Sequence, residues 1–141
     1  MEVVIGTKAA KELLIKLAAH FKTPQLKFIH LNRPSKNKGE YYGDLIIIYG
    51  KITAEAVLHE FAHHIHDQKF PYNKQTHNLS FFRICFELRD WFLYNYGVTV
   101  CNVCGYTQMK SYQKALSEWV FSKSIEKCQN NHNNFNQLQL F

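Results

Sequence analysis

The chain lacks the marks of a membrane or secreted protein. No apolar run approaches the ~20 residues needed to span a bilayer, and the N-terminus has neither the apolar core nor the cleavage site of a signal peptide. The expectation is an intracellular protein of the cytoplasm or of the nucleoid or nucleus, not secreted and with no membrane partner. Missing too are a Gly-rich phosphate loop, a serine nucleophile elbow and a dinucleotide-binding fingerprint. Acids are in the minority, 11 against 17 Lys and Arg, and the resulting charge of +6 suits nucleic acid or an acidic partner without requiring one.

What is present is enough for one ordinary domain, or a domain of about 100 residues with a small appendage. The apolar fraction of 46% and aromatic fraction of 15% exclude a disordered chain apart from its ends. Four cysteines, two of them in the pair Cys101-x-x-Cys104, favour metal binding over disulfides in a reducing compartment.

The chemistry concentrates in residues 53–67, which read as a helix. Thr53 is a natural N-cap and Glu55 lies in the first turn, where the helix dipole favours an acid. Ala54, Val57, Leu58, Phe61, Ala62 and Ile65 recur at helical spacing. His59 and His63, four apart, then stack on one face and can hold one metal ion, with Glu60 at the edge of that face. This is the His-Glu-x-x-His pattern of zinc hydrolases, in which the glutamate takes a proton from a metal-activated water. The bland alternative is an amphipathic helix with solvated histidines.

Upstream, residues 7–22 form an amphipathic helix with Ala10, Leu13, Leu14, Leu17 and Phe21 on its apolar stripe, broken at Pro24. Residues 26–31 form a strand, and 32–40 a loop carrying Arg33, Lys36 and Lys38, which reads as a solvated turn or a phosphate-contacting rim. Residues 41–49 form a second strand, apolar enough through 45–48 for burial on both faces. Downstream, 68–78 is a loop and 79–96 an aromatic core helix with Phe81, Phe82, Ile84, Cys85, Leu88, Trp91, Phe92 and Tyr94 facing inward. Cys85 reads as an inert buried thiol. Gly97 marks a boundary, 98–105 looks like a strand entering a metal knuckle, 111–127 is mostly helical, and an Asn/Gln-rich tail follows.

A catalytic zinc usually takes three protein ligands plus water. His64 sits about 100° round the helix from His63, and His66 about 10 Å along the axis from His59, so neither shares an ion with the pair, and both read as solvated or outer groups. His77, just before the aromatic helix, is the better candidate, with Glu87 the rival. Glu87 or Asp90 would otherwise serve as an acceptor for a ligand imidazole. Tyr41, Tyr42 and Tyr72 are oxyanion-stabiliser candidates by proximity to the motif.

His59-Glu60-Phe61-Ala62-His63 followed by Thr76-His77-Asn78-Leu79-Ser80-Phe81 resembles the SprT-like (Spartan-type) zinc metallopeptidases over about residues 5–97. Asn78 stands where glycine is usual after the third histidine, and Phe81 supplies the family's aromatic four positions on. Asparagine tolerates a left-handed backbone better than most residues, which makes the departure mild.

The order helix, strand, strand, helix reads as an α+β layout with a small antiparallel sheet, and the resemblance implies a zincin-like minimal metallopeptidase of similar layout: helix, small sheet, metal-binding helix and second core helix. It also implies His77 as third ligand to a catalytic zinc, Glu60 as general base, and action on DNA-associated proteins. Cys101-Asn102-Val103-Cys104-Gly105 matches the start of the family's C-terminal zinc ribbon. The second half departs, because Cys128 has Asn131 three residues on; His132 would complete a set of Cys101, Cys104, Cys128 and His132 around a structural zinc.

The expected layout is therefore a metallopeptidase domain over 1–97, a zinc-ribbon-like region over 98–132 and a disordered tail over 133–141. The expected function is a zinc-dependent endopeptidase acting on a protein or peptide, with DNA a second partner. The alternative is a non-catalytic, zinc-stabilised nucleic-acid-binding module.

Overall fold

The computed structural model describes residues 2–72, 76–100 and 102–139, with side chains described as far as Glu126. Seven elements follow in order: α1 (Thr7–Phe21), β1 (Lys27–Leu31), β2 (Gly39–Tyr41), β3 (Leu45–Tyr49), α2 (Ala54–Lys69), α3 (Leu79–Tyr96) and α4 (Lys110–Gln139). The architecture is α+β, four helices with a three-stranded sheet.

The sheet is mixed, where a purely antiparallel one was expected. Its order is β1-β3-β2, with β1 parallel to β3 and β2 antiparallel to it. Residues 41–49 are not one strand. Gly43, at φ +74, allows a tight turn in which the Tyr42 amide donates to the Leu45 carbonyl at 2.8 Å, and β2 folds back on β3. Loop 32–38 meanwhile carries the chain across β3 to the far edge, so β1 and β3 run the same way.

The isoleucine run takes the central strand, but only Ile46 and Ile48 are fully buried. Leu45, Ile47 and Tyr49 are half-buried, because helices cover one face only. The expectation of burial on both faces fails for that reason.

Helix α2 runs through the middle of the fold, against the sheet on one side and α1 and α3 on the others. Val57, Leu58, Phe61 and Ala62 have no exposed surface. Its start is capped as expected: Thr53 Oγ1 accepts from the Ala56 amide at 3.1 Å. The first-turn acid has a second task, since the Glu55 carboxylate accepts from the Val3 amide. Val3 and Ile5 also pair with Ala54 and Ile52, which ties the N-terminal segment to the start of α2.

Helix α3 buries Phe81, Phe82, Ile84, Cys85, Phe86, Leu88 and Phe92. Tyr94 was expected inside and is 90% exposed, because two residues beyond Phe92 puts it on the opposite side of the helix. Gly97, at φ +67, closes the helix as a left-handed C-cap. Val100, Val103, Cys104 and Ala115 belong to the same buried cluster as residues of α1, α2 and α3, so the core extends past α3 to the start of α4. Residues 98–105 form no strand among the described residues, and α4 extends to Gln139, past Lys127 where the periodicity weakens. No helix among the described residues is long and apolar enough to cross a membrane.

Candidate metal centre

One helical turn places His59 and His63 side by side on α2, with ring centroids 5.0 Å apart. His77 arrives from the approach to α3, its ring 4.8 Å from that of His63 and 5.6 Å from that of His59. One ring nitrogen from each of the three lies within 4.8 Å of the other two, a group able to hold a metal ion. Glu87 is not part of it. Its side chain lines a separate groove between α3 and α4, while Asp90 is engaged with Arg89 and Lys123.

The chain that positions His77 is local. Asn78 is the N-cap of α3, its Oδ1 accepting from the Phe81 amide at 3.0 Å. Its φ of −115° is ordinary extended backbone, so the asparagine stands there as a cap and a tolerance for left-handed geometry is not needed. Phe81 then packs under all three imidazoles, with centroids 4.5 Å from His63, 5.0 Å from His77 and 5.3 Å from His59.

Protonation suits ligation. Burial, and then the neighbouring histidines His59, His77 and His66, hold His63 down to about 3. Burial followed by His59 and His66 holds His77 down to about 4, and burial lowers His59 against the opposing pull of the Val103 carbonyl. All three are therefore neutral at pH 7, the state in which imidazole binds metal. His59 Nδ1 lies 2.6 Å from the Val103 carbonyl, to which it donates, leaving Nε2 as the free lone pair. His77 Nε2 is buried with no hydrogen-bond partner. A buried nitrogen without a partner costs about 1–3 kcal/mol, and a cation at the centre of the three rings would remove that cost. The donor set fits a borderline-soft divalent metal such as zinc.

Glu60 stands at the edge of this group, 7% exposed. Burial, and then the Glu40 carboxylate, push its carboxyl up to about 7. The approach of β2 to Glu60 depends on Gly39: a Cβ there would lie 2.7 Å from Ile48 Cδ1 and 3.1 Å from Glu60 Cγ. The three histidines and Glu60 line an open cleft of about 750 Å³, together with Lys36, Lys38 and Tyr106.

The other histidines of α2 are neither solvated nor ligands. His64 is 1% exposed, with Nδ1 3.0 Å from the Tyr41 hydroxyl and Nε2 3.0 Å from the Pro24 carbonyl, a link between helix, sheet and loop. His66 is 4% exposed, between Phe70 and Phe81. The tyrosines proposed near an oxyanion are hydrogen-bonded elsewhere or exposed. Tyr41 contacts His64 and Asp67, Tyr42 donates to Glu40, and Tyr72 is 96% exposed. Val103 and Tyr106 are site residues that sequence reasoning missed, because they fall in a segment assigned to a separate ribbon.

Of that ribbon, Cys101 and the side chains of Cys128 and His132 lie outside the described residues. Cys104 is buried beside Cys85; burial and then this neighbouring thiol push Cys85 well above the ordinary thiol range. Compared with protein-family models, with curated proteins and with solved structures, the chain matches none.

Proposed function

We propose that this chain is a zinc-dependent endopeptidase of the His-Glu-x-x-His type. One observation carries the reading: three neutral imidazoles converge, one with a buried unpartnered nitrogen, beside a carboxyl in an open cleft. His59, His63 and His77 would hold the ion, which when bound supplies Lewis-acid polarisation of water and of a peptide carbonyl. Glu60 accepts the proton of the attacking water and returns it to the leaving amine. The near-neutral set point of its carboxyl in the absence of a cation suits a group that both takes and gives a proton.

The resemblance of the motifs to SprT-like peptidases extends the substrate to DNA-associated proteins. The charge of +6 and the Lys36 and Lys38 side chains on the cleft rim support that extension. A structural zinc on Cys101, Cys104, Cys128 and His132 belongs to the same reading and rests on the spacing of those residues.

Glu60→Gln tests the proposal. The variant should bind zinc like wild type and lose about 10²–10⁴-fold in peptide hydrolysis. Equal hydrolysis by the two proteins would remove Glu60 from the chemistry. Absence of hydrolysis in both, with salt-dependent nucleic-acid binding retained, would favour the non-catalytic module.

A further inference from the structure

The cleft is completed by residues that follow α3, and we propose that Tyr106 is a positioning residue that braces His77 for metal binding. The proposal rests on the metal-site reading above and deepens it. His59 and His63 are held by a helix of 16 residues. His77 is not helical; its Nδ1 has Thr76 Oγ1 as a neighbour, at 3.3 Å and on the exposed side. Its ring is therefore fixed by packing. Phe81 presents its ring at 89° to one side, and Tyr106 lies against His77 with centroids 4.2 Å apart and planes 39° apart.

The same short segment holds a second ligand. The Val103 carbonyl accepts from His59 Nδ1, two residues before Gly105. Gly105, at φ +80, turns the chain there, and a Cβ on it would come to 3.9 Å from His59 Cε1. A left-handed turn at glycine thus lets one stretch of four residues touch two imidazoles from outside α2. Val103 and Cys104, each 3% exposed, anchor that stretch in the core. Tyr106 itself is 42% exposed, so its ring covers His77 without being needed to fill the core.

The contact is ring against ring, so the aromatic face should be what matters and the hydroxyl should not. Zinc affinity is measured by competition with a chromophoric chelator on wild type, Tyr106→Phe and Tyr106→Ala. The Co2+ absorption spectrum of each protein, and its melting temperature in chelator, are recorded alongside. Tyr106→Ala should bind zinc about 10–100-fold more weakly, as loss of a group orienting a ligand does, with an altered Co2+ spectrum and a metal-free melting temperature near wild type. Tyr106→Phe should restore both affinity and spectrum.

Equal zinc affinity in the alanine variant would overturn the proposal. So would a phenylalanine variant as weak as alanine, which would assign the effect to the hydroxyl. A His77→Ala variant that holds as much zinc as wild type, and as tightly, would sink the metal-site reading itself, and zinc stoichiometry, which also counts any ion on the Cys101 set, tells that outcome apart from these.

Discussion

Replacing His77 by alanine should change the protein very differently with and without metal. Without metal, the substitution removes a half-buried ring but also a buried nitrogen that has no partner. The second effect is worth about 1–3 kcal/mol in the variant's favour and offsets the lost packing, leaving a net change within about 1 kcal/mol. With metal, the balance is different. Zinc on the three histidines, at a hundredfold excess over its dissociation constant, would stabilise the wild type by about 2.7 kcal/mol. For 141 residues that is a rise in melting temperature of roughly 10 °C, at about 3–4 °C per kcal/mol.

Sharing the about 10–16 kcal/mol of a four-ligand zinc site among its ligands gives about 3 kcal/mol for each, more than a hundredfold in affinity. At the same zinc concentration the variant would then gain from this site at most about 0.4 kcal/mol, or roughly 1–2 °C. Differential scanning fluorimetry in chelator and in buffered zinc reads both quantities. A variant stabilised by zinc as strongly as wild type would refute the assignment of His77, and the unpartnered nitrogen would need another cause.

The remaining predictions concern the supports of the site. Asn78→Ala should lower stability by about 1 kcal/mol more than the loss of the Asn78 hydrogen bond to His66 that it shares with Asn78→Gly, because asparagine and glycine are both tolerated N-caps and the backbone there is extended; urea midpoints separate the two. Gly39→Ala should cost about 1–3 kcal/mol through overpacking against Ile48 and displace Glu60, so hydrolysis falls while zinc content measured by elemental analysis stays. Burial and then the Asp67 carboxylate push the Tyr41 phenol well above its ordinary range. The unfolded chain therefore ionises first, near pH 10, and Tyr41's contribution is complete below about pH 10 and is lost as pH rises beyond it. Tyr41→Phe should be less stable at pH 7, having left His64 Nδ1 unpaired, yet should lose less stability between about pH 9 and about pH 11. A parallel loss in both proteins would count against a phenol held neutral by its surroundings.

The sequence by itself determined α1, α2 and α3 and the pairing of His59 with His63 on α2. Helical periodicity, the Thr53 cap and the Gly97 stop are relations among residues within a turn or two of one another, and the four-residue spacing of His59 and His63 becomes a shared face as soon as α2 forms. It also made His77 the better-placed third histidine.

Other features depend on neighbours far along the chain, and only the tertiary structure decided them. Whether β1 runs parallel or antiparallel to β3 is set by how loop 32–38 crosses the sheet, which strand composition does not encode. His64 and His66 looked like surface residues because their partners, Pro24, Tyr41 and Phe81, are supplied by other elements. The Val103 carbonyl sits 44 residues from the imidazole it orients, and a backbone oxygen leaves no mark in a sequence. Gly39 and Tyr106 likewise read as loop residues until packing against α2 and His77 gave each a neighbour at the candidate metal centre.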